Sequence, residues 1–241
     1  MFMIKTIFLV FYVLGLMVFL IPLGIIPALF YFLGFRKSMA KVIHFFAQFW
    51  ALSSIKLSGS RVTVSGLEFV PEKGSVCFIS NHCGYMDILL LLAYCKRQFG
   101  FIAKKELLYI PFLNFWIYIL GGLFIDRRNV RKAIRTINKG VEMIKAGNGM
   151  IIFPEGTRSK GRGLLPFHPG SLKLATAAEA PIIPVAIEGS YDVYEKTGRV
   201  VSADVKLTFL PPIDTSSLPL EDRKHVLSDR IYAVIKAQLE S

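Results

Sequence analysis

The charge-free stretch from Thr6 to Phe35 constrains this chain more than any other feature of its sequence. Lys5 brackets it on one side and Arg36, Lys37 and Lys41 on the other. As a continuous helix rising about 1.5 Å per residue it would exceed a hydrocarbon core of roughly 30 Å, so its length permits a membrane crossing without requiring one. Pro22, Gly24 and Pro27 fall in its middle, where each proline removes a backbone donor and favours a kink or a break. A second run, Val42 to Leu57, sets Phe45, Phe46, Phe49, Trp50 and Leu52 among His44, Gln48, Ser53, Ser54 and Lys56, the pattern of an amphipathic helix at an interface. A cleaved signal peptide is disfavoured, because the apolar region is too long and no small-residue cleavage site with a polar flank follows it. Two readings remain. One is a single span with its basic end in the cytoplasm. The other is a kinked two-helix hairpin that enters one leaflet, which the prolines and the second run favour. Both place the rest of the chain on the cytoplasmic side of an inner or cytoplasmic membrane. The expected organisation is a membrane-associated helical motif over 1–58 and an α/β domain over 59–241.

A chain of 241 residues suits one α/β unit with an appendage. Its hydrophobic share of 53%, with 20 Phe, points to contact with lipid. The net charge of +12 calls for anionic partners, among which nucleic acid, anionic lipid and phosphorylated molecules all qualify, and hydropathy favours lipid. A nucleic-acid-binding module would leave the apolar N-terminus unaccounted for. Cys77, Cys83 and Cys95 are odd in number, form no C-x-x-C pair and lie in apolar runs; they read as reduced core thiols rather than as a disulfide framework or a zinc site.

Beyond Gly59 short β-rich runs alternate with helical ones, the pattern of a mixed-sheet α/β domain. Strands are expected near Val62–Leu67, Val76–Ser80, Phe101–Ala103, Leu123–Ile125, Met150–Pro154, Ile182–Ile187 and Val205–Leu210. Helices are expected near Tyr85–Cys95, Asn114–Leu120, Val130–Ala146, Ser171–Ala178 and Leu220–Leu239, the last signalled by Pro219 and by Glu221 and Asp222 in its first turn. In the third of these helices Val130, Ile134, Ile137, Val141 and Ile144 share one stripe. Its Arg131, Lys132, Arg135 and Lys139 read first as a solvated face; the sharper reading is a docking surface for anionic headgroups or an acidic carrier protein.

Ser80-Asn81-His82-Cys83-Gly84-Tyr85-Met86-Asp87 follows an apolar strand and precedes an apolar helix. If the loop folds back at Gly84, the Asp87 carboxylate could fix the His82 tautomer so that the other ring nitrogen accepts a proton. Taken alone, the pair is better explained as a loop His beside an Asp that complements a helix dipole. A second constellation, Phe153-Pro154-Glu155-Gly156-Thr157-Arg158-Ser159, follows another buried-type strand and could hold a phosphate with backbone amides and a guanidinium. Lys104 and Lys105, and then Asp126, Arg127 and Arg128, add charges at two further strand ends. For any one of these cations a surface role is the safer reading.

Together these stretches resemble the glycerolipid acyltransferase family, most closely its 1-acylglycerol-3-phosphate acyltransferases. The resemblance runs from about Val76 to Ile187 through N-H-x-x-x-x-D at Asn81–Asp87, Gly-x-x-Phe-Ile-Asp-Arg, here Gly121–Arg127, Phe-Pro-Glu-Gly-Thr-Arg-Ser at Phe153–Ser159, and the proline-bearing strand Ala180–Val185. Each block is modestly specific, and their order and spacing are highly so. The resemblance implies a catalytic domain with His82 as base and Asp87 as its orienting partner. It assigns Arg158, Arg127, Lys105 and Lys104 to the acceptor's phosphate, and Glu155, Gly156 and Thr157 to orienting the acceptor or to structure. It also implies lysophosphatidic acid as acceptor, acyl-CoA or acyl-ACP (acyl carrier protein) as co-substrate, a lipid bilayer as partner, and neither metal nor other cofactor. Backbone amides near Gly84 are candidate oxyanion donors. Glycerol 3-phosphate or another lysophospholipid remains an alternative acceptor. The chain has no G-x-S-x-G elbow, which disfavours a serine hydrolase. No catalytic part is expected for His44, His168 or His225.

Overall fold

The computed structural model describes residues 2–168, 170–215 and 226–241. Seven strands, β1 Arg61–Ser65, β2 Val76–Ser80, β3 Phe99–Lys104, β4 Leu123–Ile125, β5 Gly149–Ile152, β6 Ile182–Glu188 and β7 Asp204–Phe209, join in one sheet in the order β1-β7-β6-β2-β5-β3-β4. From β6 to β4 all neighbours are parallel; β7 turns antiparallel to β6, and β1 runs parallel to β7. Parallel neighbours need crossover connections. These are the helices α4 Met86–Tyr94, α5 Leu113–Ile119, α6 Val130–Lys145 and α7 Lys173–Ala178. The strands therefore fall within a residue or two of their expected positions. Every residue of β2 is buried, as befits a central strand covered on both faces, whereas β7 alternates exposed and buried positions near the sheet edge.

One face of the sheet packs Phe78, Ile151 and Ile183 against α4 and α5, and the other packs Ile79, Ile152 and Ile182 against α6, α7 and α8 Val226–Leu239. Burying one such side chain contributes about 1.5–3 kcal/mol, so the central strands dominate the core. The expected start of the last helix, with Pro219, Glu221, Asp222 and His225, lies outside the described residues. In α6 the expected apolar stripe divides. Ile144 is buried, and Gly140 lies so close to Leu174 that an added Cβ would clash, while Val130 and Ile134 are 70% and 44% exposed. The helix is thus seated by its second half.

The N-terminal run forms α1 Phe2–Phe19 and α2 Ile21–Phe32, joined almost without a break because Leu20 and Gly24 amides donate to the carbonyls of Leu16 and Leu20. Helix α3 Arg36–Ser58 folds back along both, giving a hairpin of a jointed apolar helix against an amphipathic one. Ile43, Ala47, Ala51 and Ile55, spaced four apart on α3, are at most 3% exposed and belong to the same core as the sheet. Phe45 and Phe49, at 62% and 50% exposure, face outward. Trp50 and Trp116 donate their indole N–H groups to the carbonyls of Val13 and Met17, at 2.9 Å each, and so lock α3 and α5 to α1.

Candidate active site

Strands β2 to β6 are mutually parallel, so their carboxyl ends lie along one edge of the sheet, and every candidate site residue lies at or follows one of those ends. Such an edge is the usual location of a binding crevice in an open α/β sheet. At the end of β2, Asn81 is buried and clasps β6: its Nδ2 donates to the Ile187 carbonyl and its Oδ1 accepts from the Ile187 amide, both at 2.8 Å. The chain then turns through His82–Tyr85 into α4.

Four consecutive amides of this turn donate to three carboxylates. His82 N reaches Glu155 Oε1 at 2.7 Å, Cys83 N and Gly84 N reach Asp87 Oδ2 at 2.7 and 3.0 Å, and Tyr85 N reaches Glu195 Oε1 at 2.6 Å. Amides at the start of a helix lack intrahelical acceptors, and carboxylates there also complement the dipole. The expectation that amides near Gly84 are free for an oxyanion is corrected by this geometry, because Asp87 and Glu195 already occupy them.

Asp87 is wholly buried and its Oδ2 stands 2.6 Å from His82 Nδ1. Ser190, from the segment after β6, donates its hydroxyl to Asp87 Oδ1. The His82 ring lies on the Phe153 ring at 4.1 Å between centroids and 24° between planes. The imidazole is thus fixed at Nδ1 and on one face while 20% of the side chain stays open to solvent.

Glu155, 2% exposed, accepts from the His82 amide and, at 3.1 Å, from Leu165 N. Burial pushes its carboxyl above the ordinary range, and the two amides pull it back by less. Gly156 has φ +67°, and an added Cβ would strike Arg127 and His168; its carbonyl accepts from Arg127 Nη1 at 2.6 Å. Thr157 is exposed. Arg158 pairs with Glu195 at 3.1 Å and lays its guanidinium on the Tyr85 ring at 3.6 Å. Lys105 pairs with Asp126 at 2.9 Å, which holds the Asp126 carboxyl below its usual value, and Lys104 is exposed, with no ion pair among the described residues.

The structure therefore gathers His82, Asp87, Glu155, Gly156, Arg127 and Arg158 into one bonded network, while Lys104 and Lys105 stand on a neighbouring strand end. Ser190, Glu195 and Phe153 are members that sequence reasoning did not select. Phe153 opens a motif that was selected for other residues; Ser190 and Glu195 carry no local signal. Cys83, next to His82 in sequence, accepts from Asn81 Nδ2 at 3.1 Å, and burial with the nearby Asp87 pushes its thiol up to about 12. No group of His, Cys, Asp or Glu among the described residues could hold a metal ion. His44 is half-buried on α3 and His168 is exposed.

Next to α4 an apolar cavity of about 60 Å³ is lined by Met17, Leu20, Trp50, Ile88, Phe101 and Trp116, among others. From β3 toward α5, Leu108, Tyr109, Ile110 and Phe112 are 44–77% exposed, and Phe112 takes φ +67°, a conformation that bulky residues rarely adopt.

A family model described as Acyltransferase matches residues 61–188. Over 181 residues the chain is 35% identical to the 1-acyl-sn-glycerol-3-phosphate acyltransferase of Escherichia coli (strain K12), covering 75% of this chain and 71% of that one. It is 31% identical over 177 residues to the human 1-acyl-sn-glycerol-3-phosphate acyltransferase alpha, covering 73% of this chain. The matched stretch spans 62% of that human protein and 65% of a Caenorhabditis elegans relative. A crystal structure of the 1-acyl-sn-glycerophosphate (LPA) acyltransferase PlsC of Thermotoga maritima superposes with a TM-score of 0.83 at 28% identity, over 100% of this chain and 97% of that one.

Proposed function

We propose, from the premise that this chain belongs to the acyltransferase family, that it moves a fatty acyl group from an acyl thioester to the sn-2 hydroxyl of 1-acyl-sn-glycerol 3-phosphate, giving phosphatidic acid. The observation that carries this reading is the His82–Asp87 pair at 2.6 Å, set at a strand end in one network with Arg158. With Nδ1 committed to Asp87, the other imidazole nitrogen Nε2 is the basic atom. The acceptor hydroxyl gives its proton to Nε2 as its oxygen bonds the thioester carbonyl carbon. Asp87 stabilises the imidazolium that results. The C–S bond then breaks and the thiolate leaves, taking the proton back. Thiols have an ordinary pKa of about 8.5, so the sulfur departs far more readily than an alkoxide would. The step consumes the acceptor hydroxyl and the thioester, and gives the ester and the free thiol.

The acceptor's phosphate carries a charge of about −1.5 to −2, and Arg158 and Arg127 are the cations of the network that can meet it; Lys104 and Lys105 add attraction from the adjacent strand end. The apolar cavity beside α4 supports a path for an acyl chain, each methylene of which gains about 0.8 kcal/mol by leaving water. The apolar helical run Met3–Phe30, largely exposed, supports attachment to a bilayer with the catalytic edge on the cytoplasmic side.

The test is transfer of a labelled acyl group from acyl-CoA, and separately from acyl carrier protein, to lysophosphatidic acid, by wild type and by His82→Ala. Label in phosphatidic acid for wild type and none for the variant is the expected result, and the comparison of donors identifies the carrier. A folded wild type that labels glycerol 3-phosphate or another lysophospholipid instead would overturn the acceptor, and an active variant would overturn the base.

A further inference from the structure

Arg158 is already held before any acceptor arrives. Glu195 lies just beyond the short helical turn Ser190–Val193, and its Oε1 accepts both from Tyr85 N at 2.6 Å and from Arg158 Nη1 at 3.1 Å. Its Oε2 is buried with no hydrogen-bond partner among the described residues. The carboxylate sits so close to Gly84 that a Cβ there would lie 2.9 and 3.0 Å from its two oxygens. The Tyr85 ring, whose own amide Glu195 holds, supports the guanidinium from one face at 3.6 Å. One carboxylate therefore joins the turn that carries His82 to the arginine assigned to the phosphate.

We propose that Glu195 is the positioning residue of the acceptor site: it fixes Arg158 so that the guanidinium donors not bonded to Glu195 meet the acceptor's phosphomonoester in register with His82. This rests on the acceptor reading given above. The argument turns on what Glu195 supplies. Its negative charge close to the site opposes an incoming phosphate. Its accepted hydrogen bonds do the opposite, because an arginine anchored at Nη1 and stacked on a ring has surrendered its rotamer freedom in advance, and anion binding need not supply that cost. A side chain retained for charge would be the wrong sign here, whereas one retained for reach and geometry is the right one.

Two conservative substitutions separate charge from reach. Glu195→Gln keeps the reach and an acceptor oxygen while losing the charge; Glu195→Asp keeps the charge but falls one methylene short. Both are small changes to a partly buried side chain and allow the full chain to be purified in detergent. Two readouts are taken: equilibrium binding of lysophosphatidic acid without donor, and steady-state transfer with the acceptor and donor varied separately. For Glu195→Asp, the acceptor's Kd and KM are expected to rise about tenfold with the donor's KM unchanged; for Glu195→Gln, which keeps the reach but weakens the bond to Arg158, the rise is expected to be smaller, about threefold. In an Arg158→Ala background the Asp substitution should add less than about twofold, since the contact through which it acts is gone. The proposal is overturned if Gln weakens acceptor binding as much as Asp, if Asp leaves it unchanged, or if donor and acceptor KM move together. Absent turnover with the expected binding pattern would sink the transfer reading and leave Glu195 in its role; normal turnover with flat binding would do the reverse.

Discussion

Ser190 and His82 hold Asp87 from opposite oxygens: the Ser190 hydroxyl donates to Oδ1, while Oδ2 faces His82 Nδ1 at 2.6 Å and also receives the Cys83 and Gly84 amides. The carboxylate cannot rotate without breaking one of these contacts. Asp87→Asn can keep its single oxygen toward the turn and offer its amide to Ser190, so the fold should survive while the charge facing the imidazolium is lost. The expected fall in kcat is on the order of 10³–10⁴-fold with an unaltered melting curve. Ser190→Ala leaves the charge in place and removes only one support, so kcat should fall about tenfold at unchanged KM. A Ser190→Ala loss as large as that of Asp87→Asn would mean that the hydroxyl itself touches the reacting atoms.

Cys83 follows His82 in the chain, yet the raised value of its thiol, about 12, keeps it protonated at neutral pH. Cys83→Ala is expected to retain activity within a few-fold, and iodoacetamide should leave the native enzyme unmodified at Cys83 near neutral pH. Loss of transfer with trapped acyl-cysteine would replace direct attack by a two-step route.

Glu155 is raised above its ordinary 4.5 by burial. Over the window between 4.5 and its raised value, the folded chain keeps a proton that the unfolded chain has released. Its contribution to stability is therefore fully present below the ordinary value, declines as pH rises through the raised one, and is level beyond it. Glu155→Gln should abolish that slope. Its amide group must also face one of two N–H donors, His82 or Leu165, which lowers stability by about 1–3 kcal/mol. Chemical denaturation of both proteins across this pH range checks both statements: parallel curves would refute the first, and a variant no less stable than wild type at neutral pH the second.

Tyr109 and Phe112 are exposed in a segment leading into α5, which packs on the apolar hairpin through Trp116 and Met17. If that segment meets the same bilayer, replacing both by Asp should lower transfer on anionic vesicles several-fold while leaving rates in detergent micelles unchanged. Equal losses in both media would place the effect in the protein interior instead.

Much of this architecture was legible in local pattern. Unbroken apolar runs such as Val76–Ile79 mark strands buried on both faces, and the ends of those strands locate His82, Glu155 and Arg158. Asn81 and Asp87 bracket a turn with Gly84 at its centre, so contact between His82 and Asp87 needs only five residues of chain to close. The apolar stripe of α6 is buried only at its far end, because helical period shows which residues share a face but not how far along its length a helix meets its neighbour.

What the sequence by itself determined was thus the set of elements, the apolar hairpin and the residues standing at strand ends, since each depends on interactions a few residues apart. Tertiary structure alone decided which carboxylates those turns would meet. Strand β2 lies between β6 and β5, so the turn after it is flanked by the segments that follow both. From one side comes Glu155, 73 residues from His82; from the other come Ser190, 103 residues from Asp87, and Glu195, 110 residues from Tyr85. Amides at the start of a helix need acceptors, and any nearby carboxylate satisfies that need. Their identity is set by strand order, which hydrophobic packing selects over the whole sheet and no local pattern records.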